Sequence, residues 1–308
     1  PGDGRRRTPA HGLMNKRPVV AFHAPMKPAD HPVPSGDREI ARLTIRALER
    51  AGADVHVASR LRTLDRAGDP EVQAEIEAEA GAEAARIVAD RAGGASLWLT
   101  YHCHYKAPDL LGFRVATELG IPYAITEPSL SPRRQEGPWA RFAARAQEAI
   151  GAADRLFWTT PRDRPALEAA GHGGRMVALP PFLDPGPEVP PRPARRPVRL
   201  LAVAMMRPGD KVESYARLAA ALARLEVPYS LDVIGDGPER ARIEAMLPHG
   251  TAFRGALGRE AVQAAMERAD VLVWPGVGEG VGMVWLEAQA AGLPVVAEEG
   301  PAAKAVVA

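Results

Sequence analysis

The chain has 308 residues, of which 46% are hydrophobic and 25% are charged, and its formal net charge is +1. This length exceeds the size at which a single hydrophobic core usually stops growing, so two domains are expected. The balanced charge argues against nucleic acid as a partner, and a single cysteine excludes an internal disulfide bond. The composition is that of an ordinary globular protein, and we expect it to be cytoplasmic.

Residues 1–16 contain arginines but no apolar stretch behind them, so they do not read as a signal peptide. We expect them to be a disordered leader or an extension upstream of the true start. No later apolar run approaches the length needed to cross a bilayer.

Residues 17–179 alternate β-rich runs with alanine-rich helical stretches, the pattern of βα units around a parallel sheet. RPVVAFHA predicts a first strand, DREIARLTIRALERAGA a helix and DVHVAS a second strand. Three more strands are predicted at SLWLTYHCHY, PYAITEP and DRLFWTT. This region is expected to form an N-terminal Rossmann-like domain.

Residues 180–197 contain eight prolines, a density that excludes a helix or a central strand and predicts a stiff linker. Residues 198–308 then repeat the alternation, from the strand VRLLAVA to the strand LPVVAEE, and predict a second Rossmann-like domain. Because the chain ends on the apolar run AKAVVA, we expect a truncated C-terminus.

A glycine-rich turn follows the predicted strand DVLVWPG. Ligands of open parallel sheets bind at such turns, and a helix beginning near Gly282 would direct free N–H groups towards an anion. Glu279 would lie in the turn and Glu287 one to two turns into an apolar, buried helix. Since carboxylates are rarely buried alone, Glu287 either pairs internally or accepts hydrogen bonds from a ligand.

Five motifs follow one another in the second domain: AMMRPGDK, DVIGDGPERARIE, FRGAL, ADVLVWPG and EGVGMVWLEAQAAGLPVV. In this order they resemble the nucleotide-sugar domain of family 4 glycosyltransferases, whose last motif carries two glutamates spaced as Glu279 and Glu287 are. The resemblance implies the GT-B fold, an α/β architecture of two Rossmann-like domains facing each other across a cleft. It also implies retaining transfer of a hexose-type sugar from a nucleoside-diphosphate sugar to a hydroxyl acceptor.

The resemblance assigns roles to individual residues. Arg207 and Lys211 would neutralise the diphosphate leaving group, where a solvated loop is the alternative. Glu279 would contact the donor sugar, and Glu287 would accept hydrogen bonds from the ribose. The backbone of the next segment would cradle the sugar and the distal phosphate: Gly280, Val281, Gly282, Met283 and Val284. No metal and no other cofactor is expected.

The motif GDGPER partly matches the dinucleotide fingerprint G-x-G-x-x-G, but Arg240 stands where the third glycine would be. The resemblance places Gly235 and Gly237 instead in the turn beneath the base and ribose of the donor.

Ser35 and Gly36 precede the first predicted helix, where the family often has a glycine-rich loop that faces the donor phosphates and the acceptor. This chain has one glycine where many members have two. We interpret Asp37 as a plain helix cap.

The strand LTYHCHY places His102 and His104 on one face and Cys103 on the other. These residues are too few to hold zinc; we interpret His104 as a residue of the cleft and His102 as structural. Many family members carry a T-x-H histidine in the next strand, and here Glu127 stands at that position. Glu127 either takes a polar role towards the sugar or acceptor, or lies in solvent.

A basic and aromatic stretch, PRRQEGPWARFAARAQEAI, follows. It predicts either a helix that binds the acceptor or the inner membrane surface, or a helix whose aromatic residues pack on the core. The residues concerned are Arg133, Arg134, Trp139, Arg141, Phe142 and Arg145.

Two other functions remain open on the sequence. One is a nucleotide-sugar epimerase on the same fold, which would need an acid or base near the sugar. The other is a non-catalytic nucleotide-sugar binding paralogue, which the missing T-x-H histidine and the abrupt end of the chain keep open.

Overall fold

The computed structural model describes residues 17–33, 35–184, 189 and 195–307. The predicted leader, 1–16, and most of the predicted linker lie outside these residues. Contacts between Cα atoms divide the chain into two compact units, residues 1–156 and 157–308. This division falls within a strand of the first sheet, so the domain limits 17–179 and 198–308 stay predictions.

The first sheet has six strands, and the five strands predicted for this region are confirmed. They are β1 (Val19–His23), β2 (Asp54–Ser59), β3 (Leu97–Cys103), β4 (Tyr123–Pro128) and β5 (Arg155–Trp158), followed by the unpredicted β6 (Met176–Ala178). The helices are α1 (Gly36–Arg50), α2 (Pro70–Ala89), α3 (Gly112–Leu119), α4 (Ala140–Ala152) and α5 (Arg164–Ala169). Short 3-10 helices span Arg91–Gly94, Pro132–Arg134 and Gly173–Arg175.

The strand order of the first sheet is β2-β1-β3-β4-β5-β6, and β1 pairs in parallel with both β2 and β3. Strand β1 is buried from Val20 to His23, as expected of a parallel strand with both faces covered. Helix α1 turns Ala41, Leu43 and Thr44 inward. These βα units confirm the predicted α/β architecture.

Asp109 organises the loop between β3 and α3. Its buried carboxylate accepts hydrogen bonds from the backbone N–H groups of Leu111 (3.0 Å) and Gly112 (2.9 Å), which begin α3. The hydroxyls of Thr100 and Tyr123 donate to its other oxygen, at 2.5 Å and 2.6 Å. One side chain therefore joins the first turn of α3 to strands β3 and β4.

The second sheet has five parallel strands in the order β11-β10-β7-β8-β9. They are β7 (Val198–Val203), β8 (Tyr229–Ile234), β9 (Ala252–Gly255), β10 (Val271–Val273) and β11 (Val295–Val296). The helices are α6 (Asp210–Leu222), α7 (Arg240–Met246), α8 (Arg259–Arg268), α9 (Met283–Ala290) and the unpredicted α10 (Pro301–Val306).

Two buried tryptophans lie beneath the loop between β10 and α9. The Trp285 Nε1–H donates to the carbonyl of Trp274 at 3.2 Å, and the Trp274 ring packs edge-on against Tyr215, with 5.0 Å between centroids. Gly276 and Gly282 have φ of 75° and 64°, and a Cβ at either would overlap the Trp285 ring. The loop thus needs glycine for its backbone conformation and for its close packing on Trp285.

Among the described residues, no helix combines the length and the apolar character that crossing a bilayer requires.

Candidate functional site

Three loops of the second unit meet at the carboxyl edge of its sheet. They follow the adjacent strands β10, β7 and β8 and carry Glu279, Arg207 and Gly235, respectively. The strand order reverses at β7, which has β8 on one side and β10 on the other, and ligands of open α/β sheets bind at such points. The fold therefore brings together residues that are more than seventy positions apart, 207 and 279.

Lys211, in the first turn of α6, forms an ion pair with Glu279 in the loop after β10. The Lys211 ammonium donates to Glu279 Oε1, and the Trp274 Nε1–H donates to the same oxygen at 3.1 Å. The Lys211 nitrogen also lies 5.3 Å from the centroid of the Trp274 ring. With exposed fractions of only 26% and 19%, both side chains are held in place, a pairing that sequence reasoning missed.

Arg207 contrasts with Lys211. It lies in the loop between β7 and α6 and is exposed, and within the described part of the chain it has no hydrogen-bond or ion-pair partner. Its full positive charge is therefore available to an anion at this edge, whereas that of Lys211 is largely compensated by Glu279.

Gly235 and Gly237 shape the loop after β8. Their φ values are 140° and 156°, and a Cβ would overlap the carbonyl oxygens of Ala204 and Met206, respectively. The backbone N–H of Met206 donates to the backbone carbonyl of Asp236 at 2.9 Å, so the loop after β8 packs directly on the loop that carries Arg207. These glycines are needed for close packing; a position beneath a nucleotide base stays a prediction.

Helix α9 begins at Met283, after Gly282 in the left-handed conformation, and no side chain caps it. The predicted start of this helix is confirmed, and Glu279 lies in the preceding loop. Gly280 is exposed, with open space where a Cβ would lie. The uncapped first turn leaves N–H groups at the same edge as Arg207.

The prediction that Glu287 is buried was wrong. It lies in the second turn of α9 and is half-buried, because only Trp285 and Ala288 of this helix are buried against the core. The rest of α9, although apolar in sequence, stays partly accessible.

At the first unit's sheet, Ser35 caps α1, since its hydroxyl accepts from the N–H of Arg38 at 3.2 Å. The interpretation of Asp37 as the cap was therefore wrong. Its carboxylate lies instead 3.3 Å from Nδ1 of His102, at the end of β3. Gly36 has open space where a Cβ would lie.

His102 and Glu127 share an unusual backbone conformation. Their φ values are 64° and 55°, in the left-handed region that residues other than glycine rarely adopt. In the register of β3 and β4, Tyr101 pairs with Thr126 and Cys103 with Pro128, so His102 and Glu127 are neighbours. Such strain often marks a functional site.

The two histidines of this region, His102 and His104, differ in their surroundings. Burial first, and then the neighbouring His102, lower the pKa of His104 to about 3, so His104 is neutral near pH 7. The pKa of Asp37 is lowered because its contact with His102 outweighs the opposing effect of burial. His102 is therefore in contact with a carboxylate whose pKa it lowers, although sequence reasoning interpreted His102 as structural. The rings of His102 and His104 lie 4.6 Å apart.

The predicted basic and aromatic helix divides into two parts. Helix α4 begins only at Ala140, and it buries Phe142 in the core. Its Arg141 and Arg145 form ion pairs with Glu77 of α2, at 2.6 Å and 3.1 Å. The helix itself thus fits the packing alternative, and the preceding loop is a separate feature.

In the described ranges, no group of three or more His, Cys, Asp or Glu side chains could hold a metal ion. The expectation that activity needs no metal stays a prediction.

Part of the second unit is similar in sequence to a known family. Residues 197–308 match the family model described as "Glycosyl transferases group 1". Both described units are also similar in fold to solved structures. The apo form of the lipopolysaccharide outer core galactosyltransferase WaaB aligns with 92% of this chain and 82% of its own, with a TM-score of 0.62 and 16% identity. Sucrose-phosphate synthase from Thermosynechococcus elongatus aligns with 91% of this chain and 81% of its own, with a TM-score of 0.64 and 20% identity.

The chain has the GT-B fold. Its two parallel-sheet α/β domains match glycosyltransferases of this architecture, as predicted.

One curated relative also matches in sequence, the GDP-mannose-dependent alpha-mannosyltransferase of Mycolicibacterium smegmatis (strain ATCC 700084 / mc(2)155). It is 37% identical over 83 residues, which are 27% of this chain and 21% of the mannosyltransferase. The match thus spans about a fifth of that relative.

Proposed function

We propose that this GT-B protein is a retaining glycosyltransferase that moves a hexose-type sugar from a nucleoside-diphosphate sugar to a hydroxyl acceptor. The observation that carries the proposal is the convergence of Arg207, the Lys211–Glu279 pair and the first turn of α9 at one sheet edge. This edge lies within the segment that matches the group 1 glycosyltransferase model.

The donor diphosphate would bind to Arg207 and to the uncapped N–H groups of α9. An exposed cation without a partner among the described residues and a free helix N-terminus both favour an anion. The backbone of residues 280–284 would approach the distal phosphate, which the exposed position of Gly280 permits.

The sugar and the ribose would be bound by the two glutamates. Glu279 has one oxygen held by Lys211 and Trp274, which fixes the carboxylate and directs its other oxygen to the hydroxyls of the sugar. Glu287, half-buried on α9, would accept hydrogen bonds from the ribose. Gly235 and Gly237 would form the floor beneath the nucleoside.

Transfer would break the bond between the anomeric carbon and the diphosphate oxygen and form a bond from that carbon to the acceptor oxygen on the same face. The acceptor proton would pass to the departing phosphate. Arg207, Lys211 and the α9 N-terminus would stabilise the negative charge that develops on the leaving group. No step in this scheme requires a metal.

In the first unit, we place the acceptor at the edge formed by Ser35, Gly36 and the Asp37–His102 pair. The strained backbone of His102 and Glu127 supports a binding role there, because strained backbone conformations are concentrated at active sites and ligand-binding sites. His104, neutral and half-buried, would support His102 by ring contact.

The test is a thermal-shift screen of nucleoside diphosphates and their sugars, followed by turnover with the donor that stabilises the protein. A true ligand raises the Tm by mass action. GDP-mannose is the first donor to test, because the curated relative depends on it.

Arg207→Ala should lower kcat/KM by about 100-fold or more, and Glu287→Ala should weaken donor binding, with the fold intact. Arg224→Ala is the matched control, since Arg224 is exposed and lies beyond the opposite end of α6. Undiminished turnover in Arg207→Ala and Glu287→Ala would overturn the assignment. An epimerase would change the donor without adding mass to an acceptor, and a binding paralogue would show the Tm shift without turnover.

A further inference from the structure

Four residues of the first unit form a cation–aromatic cluster: Tyr105, Lys106, Arg134 and Trp139. The rings of Tyr105 and Trp139 meet edge to face, with 5.9 Å between centroids. The Lys106 nitrogen lies 5.2 Å from the Trp139 centroid, and the Arg134 guanidinium carbon lies 4.9 Å from it. Both cations lie at comparable distances from the Tyr105 ring, 5.7 Å and 5.3 Å.

The positive charge of this cluster is not compensated. Within the described residues, neither Lys106 nor Arg134 forms an ion pair with a carboxylate, and the adjacent Arg133 is exposed and also has none. The nearby helix α4 shows the opposite arrangement, because Arg141 and Arg145 are both paired with Glu77. Cations left on aromatic faces, while their neighbours are neutralised, favour an anionic ligand.

The cluster also has an unused hydrogen-bond donor. The Nε1–H of Trp139 is buried and has no hydrogen-bond partner in the described part of the chain. A buried donor of this kind is rare in native proteins and calls for an acceptor.

The cluster lies where the proposed acceptor site is. Lys106 follows β3 and Arg134 follows β4, so both lie at the carboxyl edge of the first sheet. A series of ring contacts joins the cluster to the strained histidine: His104 lies 5.8 Å from Tyr105 and 4.6 Å from His102. The cluster therefore extends the Asp37–His102 site along one edge.

We propose that the acceptor carries a phosphate group, which Lys106 and Arg134 bind while the adjoining polyol packs on Tyr105 and Trp139. This inference rests on the proposed function and names the class of its acceptor. A planar guanidinium can bind two phosphate oxygens at once, and an ammonium adds a mobile point charge. The phosphate can belong to a soluble ester or to a lipid headgroup, since the chemistry at the cluster is the same.

The experiment measures binding to the full chain by titration calorimetry. The probes are glycerol 3-phosphate and a hexose 6-phosphate as soluble esters, glycerol as the uncharged comparison, and phosphatidylcholine vesicles with and without phosphatidylglycerol as the lipid source. The variants are the double substitution Lys106→Gln/Arg134→Gln and the control Arg155→Gln. Arg155 is exposed and adjoins Asp154, which contacts the start of β4, so it lies at the opposite edge of the sheet.

We expect a phosphate-bearing probe to bind and glycerol not to bind. The double variant should weaken binding by about tenfold or more, whereas Arg155→Gln should not. Arg207→Ala should retain the binding, which separates this site from the proposed donor site. Binding of soluble esters alone, or of phosphatidylglycerol vesicles alone, would support the proposal and identify the source of the phosphate.

The proposal is overturned if no phosphate-bearing probe binds the unmodified protein, or if the double variant binds as well as the control. The thermal shift with nucleoside diphosphates should persist in the double variant. If it persists while phosphate binding at the cluster is absent, the acceptor inference fails and the proposed function stands. If it is absent from the unmodified protein too, the proposed function fails independently.

Discussion

At the carboxyl edge of the second sheet, the loops after β7 and β8 touch backbone to backbone through glycines, whereas at the same edge of the first sheet side chains hold the loops. Gly235 and Gly237 let the loop after β8 rest on the loop after β7. In the first unit, Asp109 ties together β3, β4 and α3, and Asp37 reaches His102. Glycine loops present N–H groups to any ligand with phosphates, while side-chain loops can differ in charge and shape and so select an acceptor.

The largest expected loss of stability comes from removing the side chain that holds the loops at the edge of the first sheet. Asp109→Ala leaves two backbone N–H groups and the hydroxyls of Thr100 and Tyr123 without their acceptor in a buried site. We expect a loss on the order of 4 kcal/mol in the free energy of unfolding of the first unit. Denaturant unfolding, with hydrogen exchange at β3 and β4, would measure it.

Asp154→Ala is the control for this change. Asp154 is exposed and accepts one hydrogen bond, from the N–H of Tyr123 at 2.8 Å. Its loss should cost about 1 kcal/mol. Equal costs for the two variants would show that Asp109 has no special part in this edge.

The next largest loss of stability is expected from replacing a glycine at the edge of the second sheet. In Gly235→Ala, the new methyl group would meet the carbonyl of Ala204 at a φ of 140°, so the loops after β7 and β8 must separate. We expect a loss of about 2–4 kcal/mol and a weaker thermal shift with nucleoside diphosphates.

Gly258→Ala provides the comparison, because a Cβ there meets no atom and its φ is negative, −70°. Its stability should stay within about 0.5 kcal/mol of the unmodified protein. A Gly235→Ala protein that is equally stable would mean that the loops do not depend on this close approach.

The smallest expected effect is a pH dependence of stability that arises from His104 in the first unit. The pKa of His104 is lowered to about 3 from 6.5, so between these values the unfolded chain binds a proton that the folded chain does not. Stability should therefore fall as the pH drops below 6.5, by at most about 1.4 kcal/mol per pH unit from this residue.

His104→Asn should reduce this slope, because Asn does not bind a proton in this pH range. Asn is chosen because it can still accept the hydrogen bond from the N–H of Lys106. The slope should not vanish, because the pKa of the buried His23 is lowered as well, chiefly by burial. Urea unfolding between about pH 6.5 and pH 5 is the measurement, a range in which most carboxylates stay ionised. Parallel slopes for the two proteins would contradict the burial of His104.

Most of the second unit could be predicted from its sequence, because its elements depend on local patterns. The strand VRLLAVA and the turn GDG can each be predicted from a few consecutive residues, and Gly282 marks the start of α9. The candidate site of the first unit was harder to predict from its sequence. Ser35, not Asp37, caps α1, and no local pattern indicates that the Asp37 carboxylate meets a histidine 65 positions later in the chain.

By itself, the sequence determined the α/β alternation, the glycine-rich loops that follow strands of the second sheet, and the motifs that the glycosyltransferase model matches. Periodicity and turn chemistry are short-range properties, so one chain suffices to read them. Only the tertiary structure decided that Lys211 pairs with Glu279, that Glu287 stays partly accessible, and that Lys106 and Arg134 share two aromatic rings without a carboxylate in the described residues. These features depend on residues from separate elements of the fold, whose distances and burial depend on how the strands are ordered in each sheet.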